Sequence, residues 1–143
     1  MFAERVRSVM ERKKLLIASP GTTVVAAAKL MTKRKVGAVM VVEDHKLVGI
    51  FTERDLVRVV ARGRDVQTTQ LAEVMTTVPQ SVDPDKSFGY ALLLMHENGF
   101  RHVPVVEHGK VIGIVSARDA LDPKMEELLV ESERRKKILL ERA

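Results

Sequence analysis

The chain carries one sequence pattern twice, 64 residues apart. Gly49–Asp55 reads GIFTERD and Gly113–Asp119 reads GIVSARD, and the offset holds without a gap back to Pro20 and Pro84. Between residues 17–56 and 81–120, 13 of 40 positions are identical. A unit this long is not a short solenoid repeat, and it is too small to bury a good core alone. The pattern therefore predicts two copies of one α/β unit that face each other, with clefts between them.

The composition is that of a globular protein of one domain or two closely packed halves. The chain has 143 residues, of which 45% are hydrophobic and 30% charged. It contains no cysteine, which excludes disulfides and thiolate metal sites. No run is long and apolar enough for a membrane helix, and the N-terminus lacks the apolar core of a signal peptide. By absence of such signals, we expect a cytoplasmic protein that does not contact a membrane.

The charge balance is basic, with a net charge of +5. Such a balance can attract nucleic acid, anionic nucleotides or acidic partners. The chain has only one Tyr and four Phe and no recognised nucleic-acid motif, so a nucleic-acid function is the less favoured alternative. The basic residues form two clusters. The clusters contain Lys29, Lys33, Arg34 and Lys35, and then Arg54, Arg58, Arg62 and Arg64.

The first copy reads helix, strand, strand, helix. Thr22 or Thr23 precedes apolar residues with helical spacing and is a candidate N-cap. Residues 39–42 and 47–51 are β-branched runs separated by a polar turn, which predicts a hairpin. Thr52 then begins a helix that continues to about residue 61.

The second copy repeats this order. Ser87 caps its first helix, residues 103–106 and 111–115 form a hairpin, and Ser116 caps a short helix. The prediction is an α/β (α+β) fold of two repeats with pseudo-twofold symmetry, residues 5–65 and 66–121. A C-terminal helix follows over residues 122–143, with Pro123 in its first turn. Its apolar end, residues 138–140, packs either on its own domain or on a second subunit.

Each copy places a hydroxyl and a carboxylate three residues apart at a helix start. These pairs are Thr52 with Asp55 and Ser116 with Asp119. A carboxylate can accept both hydroxyls of a ribose, and the hydroxyl with the free amides of the helix end suits a phosphate. The same spacing is also a capping box that needs no ligand. The duplication in one register favours ligand binding.

The repeat ending in Gly-apolar-apolar-Thr/Ser-x-x-Asp resembles the cystathionine-β-synthase (CBS) domain, and its duplication resembles the tandem CBS pair of nucleotide-sensing proteins. The likeness covers about residues 5–121. The second copy is closest to the pattern, from Val103-Pro104-Val105-Val106 to Asp119, whereas the first has Met40 where the second has Pro104.

The resemblance implies a regulatory module, often a disc-like homodimer, whose clefts bind adenosine-containing ligands. It implies that the Asp holds ribose, that the Thr or Ser lies near phosphate, and that basic residues before the strand of the other repeat reach the phosphate. We therefore expect two unequal clefts. One joins Thr52 and Asp55 to Arg101 and His102, and the other joins Ser116 and Asp119 to Lys35. AMP is the first expected ligand, with ADP, ATP and a methionine-derived adenosine ligand left open.

The remaining site predictions are less specific. Arg54 and Arg118 either neutralise the neighbouring Asp, pair across a dimer or meet a phosphate, and Ile17, Val82 and the strand with Pro104 are expected to line the base. The four histidines lack ligand spacing, so no metal is expected. No nucleophile–base pair or Walker loop is present, so we expect no enzyme and no catalytic cofactor. The regulated protein stays unknown, and a scaffold without a small ligand is a further alternative.

Overall fold

The computed structural model of the protein describes residues 2–10, 15–77, 80–120 and 123–142. Within these ranges the helices and strands follow the predicted order of two repeats. The helices are α1 (Val6–Val9), α2 (Val24–Arg34), α3 (Glu53–Ala61), α4 (Leu71–Val74), α5 (Phe88–Asn98) and α6 (Pro123–Arg142). The strands are β1 (Ile17–Ala18), β2 (Ala38–Glu43), β3 (Lys46–Thr52), β4 (Thr76–Thr77), β5 (His102–Glu107) and β6 (Lys110–Ser116).

The two hairpins have the same register at the 64-residue offset. Val39 pairs with Phe51 in β2–β3, and Val103 pairs with Val115 in β5–β6. Both hairpins also break register at the same place, between Val41 and Val42 and between Val105 and Val106. The β-branched runs form strands because their side chains pack well on a half-buried pleated surface. The predicted fold class, two repeats of helix, strand, strand and helix with a C-terminal helix, is confirmed.

The predicted caps fix the helix boundaries. The Thr23 Oγ1 accepts a hydrogen bond from the Ala26 amide at 3.3 Å, and the Ser87 Oγ accepts one from the Tyr90 amide at 3.1 Å. The helices α2 and α5 both end at a residue in the left-handed conformation, Lys35 (φ 55°) and Gly99 (φ 70°). Glycine adopts this conformation without strain, whereas lysine does not.

The short segments that lead into the two repeats, which contain α1 and α4, are exchanged between the repeats. Helix α1 packs in the core of the second repeat, where the Val6 amide donates to the Lys86 carbonyl at 2.8 Å. Helix α4 packs instead in the core of the first repeat, and β4 extends the sheet of that repeat in the order β1-β2-β3-β4. The start of the second repeat in the sequence is therefore a structural part of the first repeat.

Three apolar clusters hold the molecule together. One fills the first repeat around Phe51 and Leu71, and another fills the second repeat around Phe88 and Val103. A third cluster includes Ile50 of β3 and Ile114 of β6, two positions that correspond at the 64-residue offset. The hairpins therefore meet face to face near the pseudo-twofold axis, and the clefts lie on either side of this contact.

Helix α6 begins at Pro123, as predicted. Its C-terminal apolar residues are exposed: Ile138 is 42%, Leu139 is 68% and Leu140 is 78% accessible. The described part of the chain leaves this end of α6 largely uncovered. Met125, Leu128 and Leu129, the predicted apolar face at its beginning, lie outside the part of the chain whose side chains are described. None of the helices in the described ranges is long and apolar enough to cross a membrane.

Candidate functional site

Among the clefts between the repeats, the two that contain the predicted hydroxyl–carboxylate pairs are called clefts A and B. Cleft A has a volume of about 770 Å³ and is formed by the end of α2, the start of α3 and the residues that follow β6. Cleft B has a volume of about 470 Å³ and is formed by the start of α3, the end of α5 and the start of β5. Both volumes lie in the range of roughly 300–1,000 Å³ that is typical of small-molecule sites.

Cleft B contains the hydroxyl–carboxylate pair of the first repeat. The Asp55 Oδ2 accepts hydrogen bonds from the Thr52 amide at 2.9 Å and from the Thr52 Oγ1 at 3.1 Å. The Asp55 amide donates back to the Thr52 Oγ1 at 3.4 Å, which completes a capping box. The Asp55 Oδ1 remains for other partners and lies 3.6 Å from the Arg58 Nη1. The capping box therefore orients one carboxylate oxygen and leaves the other available.

Cleft A contains the corresponding pair of the second repeat. The Asp119 Oδ2 accepts a hydrogen bond from the Ser116 amide at 2.8 Å. The residues after Ser116 form a 3₁₀ helix, Ala117–Ala120, in place of the regular helix that follows Thr52. Both predicted pairs thus lie at a cleft between the repeats, and both use one carboxylate oxygen for capping.

Equivalent backbone hydrogen bonds position the residues before β2 and β5. The Glu53 amide donates to the Gly37 carbonyl at 3.1 Å, and the Ala117 amide donates to the Arg101 carbonyl at 2.8 Å. Gly37 corresponds to Arg101 at the 64-residue offset, and Glu53 corresponds to Ala117. A side chain at position 37 would meet the Glu53 carboxylate, because a Cβ there would lie 3.2 Å from the Glu53 Cδ. One repeat therefore supplies a carboxylate at this junction and the other supplies a guanidinium.

His102 lies beside Arg101, at the first position of β5, where it pairs with Ser116. Burial lowers the pKa of His102 below its ordinary value of 6.5. The carboxylates of Glu53 and Asp119 oppose this effect and raise the pKa, whereas the nearby Arg101 and Arg118 lower it. The imidazole is therefore mainly neutral at pH 7, and an added negative charge in either cleft would favour its protonation.

Lys35 lines cleft A and is the left-handed residue that ends α2. The equivalent position in the second repeat is Gly99, which adopts nearly the same φ without a Cβ. A lysine in this conformation is strained by about 1–2 kcal/mol. Strain of this kind is more common at functional sites than elsewhere, so the conformation agrees with a role for the Lys35 ammonium in the cleft.

The two predicted arginines have different surroundings. The Arg54 Nη1 donates to the Gly99 carbonyl at 2.8 Å, which joins α3 of the first repeat to the end of α5 in the second. Arg54 also lines cleft B. Arg118 is exposed and lines cleft A. Arg54 therefore has a structural partner, and Arg118 contributes positive charge to cleft A.

Most of the predicted binding residues line a cleft, but two do not. Ile17 is 48% exposed on β1, and Val82 is buried in the core of the second repeat. Neither is among the residues that line cleft A or cleft B. Val82 makes an isolated parallel bridge with Val105, and its side chain packs in the core of the second repeat. The residues that do line a cleft are Lys35, Ser116, Arg118 and Asp119 in cleft A, Thr52, Arg54, Asp55 and Pro104 in cleft B, and Arg101 and His102 in both.

Sequence reasoning missed Glu53 and several polar residues of cleft B. Glu53 lines both clefts, and Gln80 and Asn98 line cleft B, where the Gln80 Nε2 donates to the Asn98 Oδ1 at 3.2 Å. Glu53 stands within the repeated motif, where the other copy has Ala117. This departure from the repeat was the available signal. Within the described ranges, no group of three or more His, Asp or Glu side chains is arranged to hold a metal ion.

Comparison with known proteins places these clefts in a family context. The family model for the CBS domain matches residues 6–62 and 71–125. The CBS domain-containing protein YhcV of Bacillus subtilis is 41% identical over 102 residues, which cover 71% of this chain and 72% of YhcV.

Two solved structures have the same fold. The CBS domain pair of protein MJ0100, in complex with 5-methylthioadenosine and S-adenosyl-L-methionine, is 25% identical with a TM-score of 0.75, covering 81% of this chain and 95% of that structure. The protein PAE2072 from Pyrobaculum aerophilum, complexed with AMP, has a TM-score of 0.78 at 22% identity, covering 90% and 99%, and this likeness concerns the fold alone. The chain spans 65% of the length of a relative from Acidianus ambivalens and 51% of a relative from Arabidopsis thaliana.

Proposed function

We propose that this chain, which belongs to the CBS-domain family, is a regulatory module that binds adenosine-containing ligands in clefts A and B. One observation carries the proposal: each cleft joins a hydroxyl–carboxylate pair from one repeat to cationic side chains that include one from the other. In cleft B, Thr52 and Asp55 face Arg101 and His102. In cleft A, Ser116 and Asp119 share the cleft with Lys35. The proposed role is regulatory and not catalytic, as is usual in the family.

The two solved structures support this ligand class. They have the same fold as this chain, and the ligands named for them are AMP, 5-methylthioadenosine and S-adenosyl-L-methionine. These molecules share an adenine and a ribose and differ in the charge attached to the sugar. We take AMP as the first candidate, because its phosphate suits the cationic side chains that line both clefts.

In the proposed complex the Asp55 Oδ1 accepts the ribose hydroxyls of a ligand in cleft B. Its Oδ2 stays bonded to Thr52, so the carboxylate keeps its orientation on binding. The Arg58 guanidinium, 3.6 Å from Oδ1 and exposed, moves aside or contacts the sugar. The phosphate meets Arg101 and His102, and Pro104 and Ile50 contribute apolar contacts to the base. Ser116, Asp119 and Lys35 act in the same way in cleft A.

Signalling follows from the position of the clefts between the repeats. A ligand that contacts both repeats stabilises one relative orientation, and its effect is limited to its difference in affinity for the two orientations. A change in this orientation would alter the hydrogen bond from Arg54 to Gly99, which connects α3 to the end of α5 across cleft B. A partner protein that reads the orientation would be the regulated target.

We propose in addition that the protein is a homodimer, as the family resemblance implies. Val57 and Val60 on α3 are 67% and 63% exposed, and Leu93 on α5 is 60% exposed. These side chains lie on α3 and α5, the two helices that the Arg54–Gly99 hydrogen bond joins. Sedimentation equilibrium of the wild type and of a Val57→Lys, Val60→Lys variant tests the arrangement, and a wild-type monomer would contradict it.

Thermal unfolding with a panel of ligands tests the binding proposal. The full chain is melted alone and with AMP, ADP, ATP, S-adenosyl-L-methionine and adenosine. A ligand at about 100 times its dissociation constant adds roughly 2.7 kcal/mol to the free energy of unfolding. We expect at least one of these ligands to stabilise the wild type. A chain that no member of the panel stabilises would refute the proposal and favour a scaffold.

Variants then test the assignment to cleft B. Arg101→Ala and Asp55→Ala are titrated with AMP by calorimetry, and Arg62→Ala serves as the control because Arg62 lies at the end of α3 outside both clefts. We expect weaker AMP binding for the first two variants and unchanged binding for the control. Wild-type affinity in both Arg101→Ala and Asp55→Ala would show that this cleft is not the site.

A further inference from the structure

Clefts A and B are adjacent, and they have one wall in common. The wall contains four residues that line both clefts: Gly37, Glu53, Arg101 and His102. Two of these come from the first repeat and two from the second. We call this set the shared wall. It includes Arg101 and His102, the two cationic candidates that line both clefts.

The charges on the shared wall are few. Arg101 is its only permanent cation among the described residues, and Glu53 is its only carboxylate among them. The Gly37 position has no side chain, which leaves room for that carboxylate. Because Arg101 lines both clefts, a phosphate in cleft A and a phosphate in cleft B would approach the same guanidinium. They would also approach each other and the Glu53 carboxylate.

We propose that the shared wall couples the two clefts, so that a phosphate-bearing ligand in one cleft weakens the binding of a second phosphate-bearing ligand in the other. The inference rests on the proposed function, since it assumes that each cleft accepts an adenosine ligand. The coupling is reciprocal, because the effect of the first ligand on the second must equal the effect of the second on the first. An uncharged adenosine ligand escapes it.

The surroundings of His102 agree with this coupling. The imidazole is faced by Glu53 from α3, by Arg101 from the preceding residue, and by Arg118 and Asp119 from the 3₁₀ turn. A phosphate in either cleft would favour the protonated imidazole. The protonated His102 can donate a hydrogen bond to the first phosphate. That proton is then not available to a second phosphate in the other cleft.

Calorimetric titration of the full chain measures the coupling. Asp55→Asn and Asp119→Asn each disable one cleft while keeping the shape of the capping residue, so they give the AMP affinity of the remaining cleft alone. For independent clefts, the product of the two stepwise association constants of the wild type equals the product of the two single-cleft constants. We expect the wild-type product to be about tenfold smaller for AMP and unchanged for adenosine. The AMP deficit should shrink at about 1 M salt, where the Debye length falls to about 3 Å.

The role of Arg101 has its own matched test. Arg101→Gln is placed in each single-cleft background, with Arg62→Gln as the control that removes the same charge outside both clefts. A shared Arg101 predicts lower AMP affinity in both backgrounds, whereas a residue of one cleft would lower it in one only. Binding of adenosine should not change in any of these variants.

The outcomes separate the two proposals. Equal products for AMP would overturn the coupling and leave the binding function intact. One AMP per wild-type chain, with one AMP still bound by each single-cleft variant, would support complete exclusion. One AMP per wild-type chain that only one of the two variants abolishes would show a single competent cleft and overturn the coupling. If neither AMP nor adenosine binds the wild type, both proposals fail.

Discussion

The two repeats have matching hairpins and differ where they meet a cleft. Their hairpins share the register and the position of the irregularity. After the hairpin, the first repeat continues into the nine-residue helix α3 with a complete capping box, and the second forms a four-residue 3₁₀ turn. Before the hairpin, the first repeat has Gly37 and Ala38 where the second has Arg101 and His102. The repeated residues build the hairpins and give each cleft its Asp and Arg, and the unrepeated residues make the charges of the two clefts unequal.

The largest difference is expected between the two carboxylates. Asp55 is 7% exposed, accepts two hydrogen bonds and lies near Arg58, whereas one hydrogen bond is found for Asp119 among the described residues. Asp55→Ala should lower the free energy of unfolding by about 2 kcal/mol and Asp119→Ala by about 0.5–1 kcal/mol. Urea unfolding with unchanged m-values measures both losses. Equal losses would mean that the two motifs have the same structural weight.

Lys35 and Gly99 offer a second comparison, in which stability and binding should change in opposite directions. Lys35→Gly removes the strain of a left-handed lysine and should raise the free energy of unfolding by up to about 1 kcal/mol. The same variant, made in the Asp55→Asn background, should weaken AMP binding in cleft A. If the variant binds AMP as tightly as its parent does, Lys35 is not part of the binding site.

Much of the scaffold could be predicted from the sequence, because its signals are local. The β-branched runs located both hairpins, and Thr52 and Ser87 marked the starts of α3 and α5. The exchange of the lead-ins could not be predicted. Val9-Met10 and Val74-Met75 have similar composition, and nothing in the sequence says which core each one enters. Long-range packing decides that question.

The candidate site was partly predictable for the same reason. The duplicated motif pointed to Thr52, Asp55, Ser116 and Asp119, and all four line a cleft. Their role in binding a nucleotide stays a prediction. Glu53 was not predicted because the second repeat has Ala117 at the equivalent position, and the site was predicted from the residues that both repeats share. Val82 was expected at the ligand because the extended segment before the first helix of the repeat was expected to line the base, but its side chain packs in the core of the second repeat.

The pH dependence of AMP binding should show whether the protonation of His102 contributes to phosphate binding. Burial lowers the pKa of His102 in the free protein, and a bound phosphate raises it. AMP affinity should therefore rise severalfold as the pH falls from 8 through the ordinary value of 6.5, and His102→Gln should lose this part of the rise. The phosphate of AMP also titrates near pH 6, so the difference between the two proteins is the quantity to compare. Identical pH profiles would exclude His102 as a phosphate ligand.

The same shift affects the stability of the free protein in the opposite direction. Because the unfolded chain binds the His102 proton at a higher pH than the folded chain does, the free energy of unfolding should decrease as the pH falls below about 6.5. AMP should offset this decrease.

The smallest expected effect concerns the residue pair Glu53 and Ala117. Glu53→Gln removes a negative charge from the shared wall and should strengthen AMP binding by about two- to threefold, as expected for a screened charge pair. Ala117→Glu adds a carboxylate to the second repeat and should weaken AMP binding by a similar factor. Adenosine binding serves as the internal control for both. A change of equal size for adenosine would point to a shape effect and not to charge.

A crystal structure of the full chain with AMP tests the central claim most directly, that the facing repeats create clefts where an aspartate holds ribose. The predicted result is a ribose on the carboxylate of Asp55 or Asp119, with its phosphate within hydrogen-bond distance of Arg101 or His102 in cleft B, or of Lys35 in cleft A. AMP bound away from both carboxylates, with Asp55 and Asp119 still engaged only in capping their helices, would contradict it.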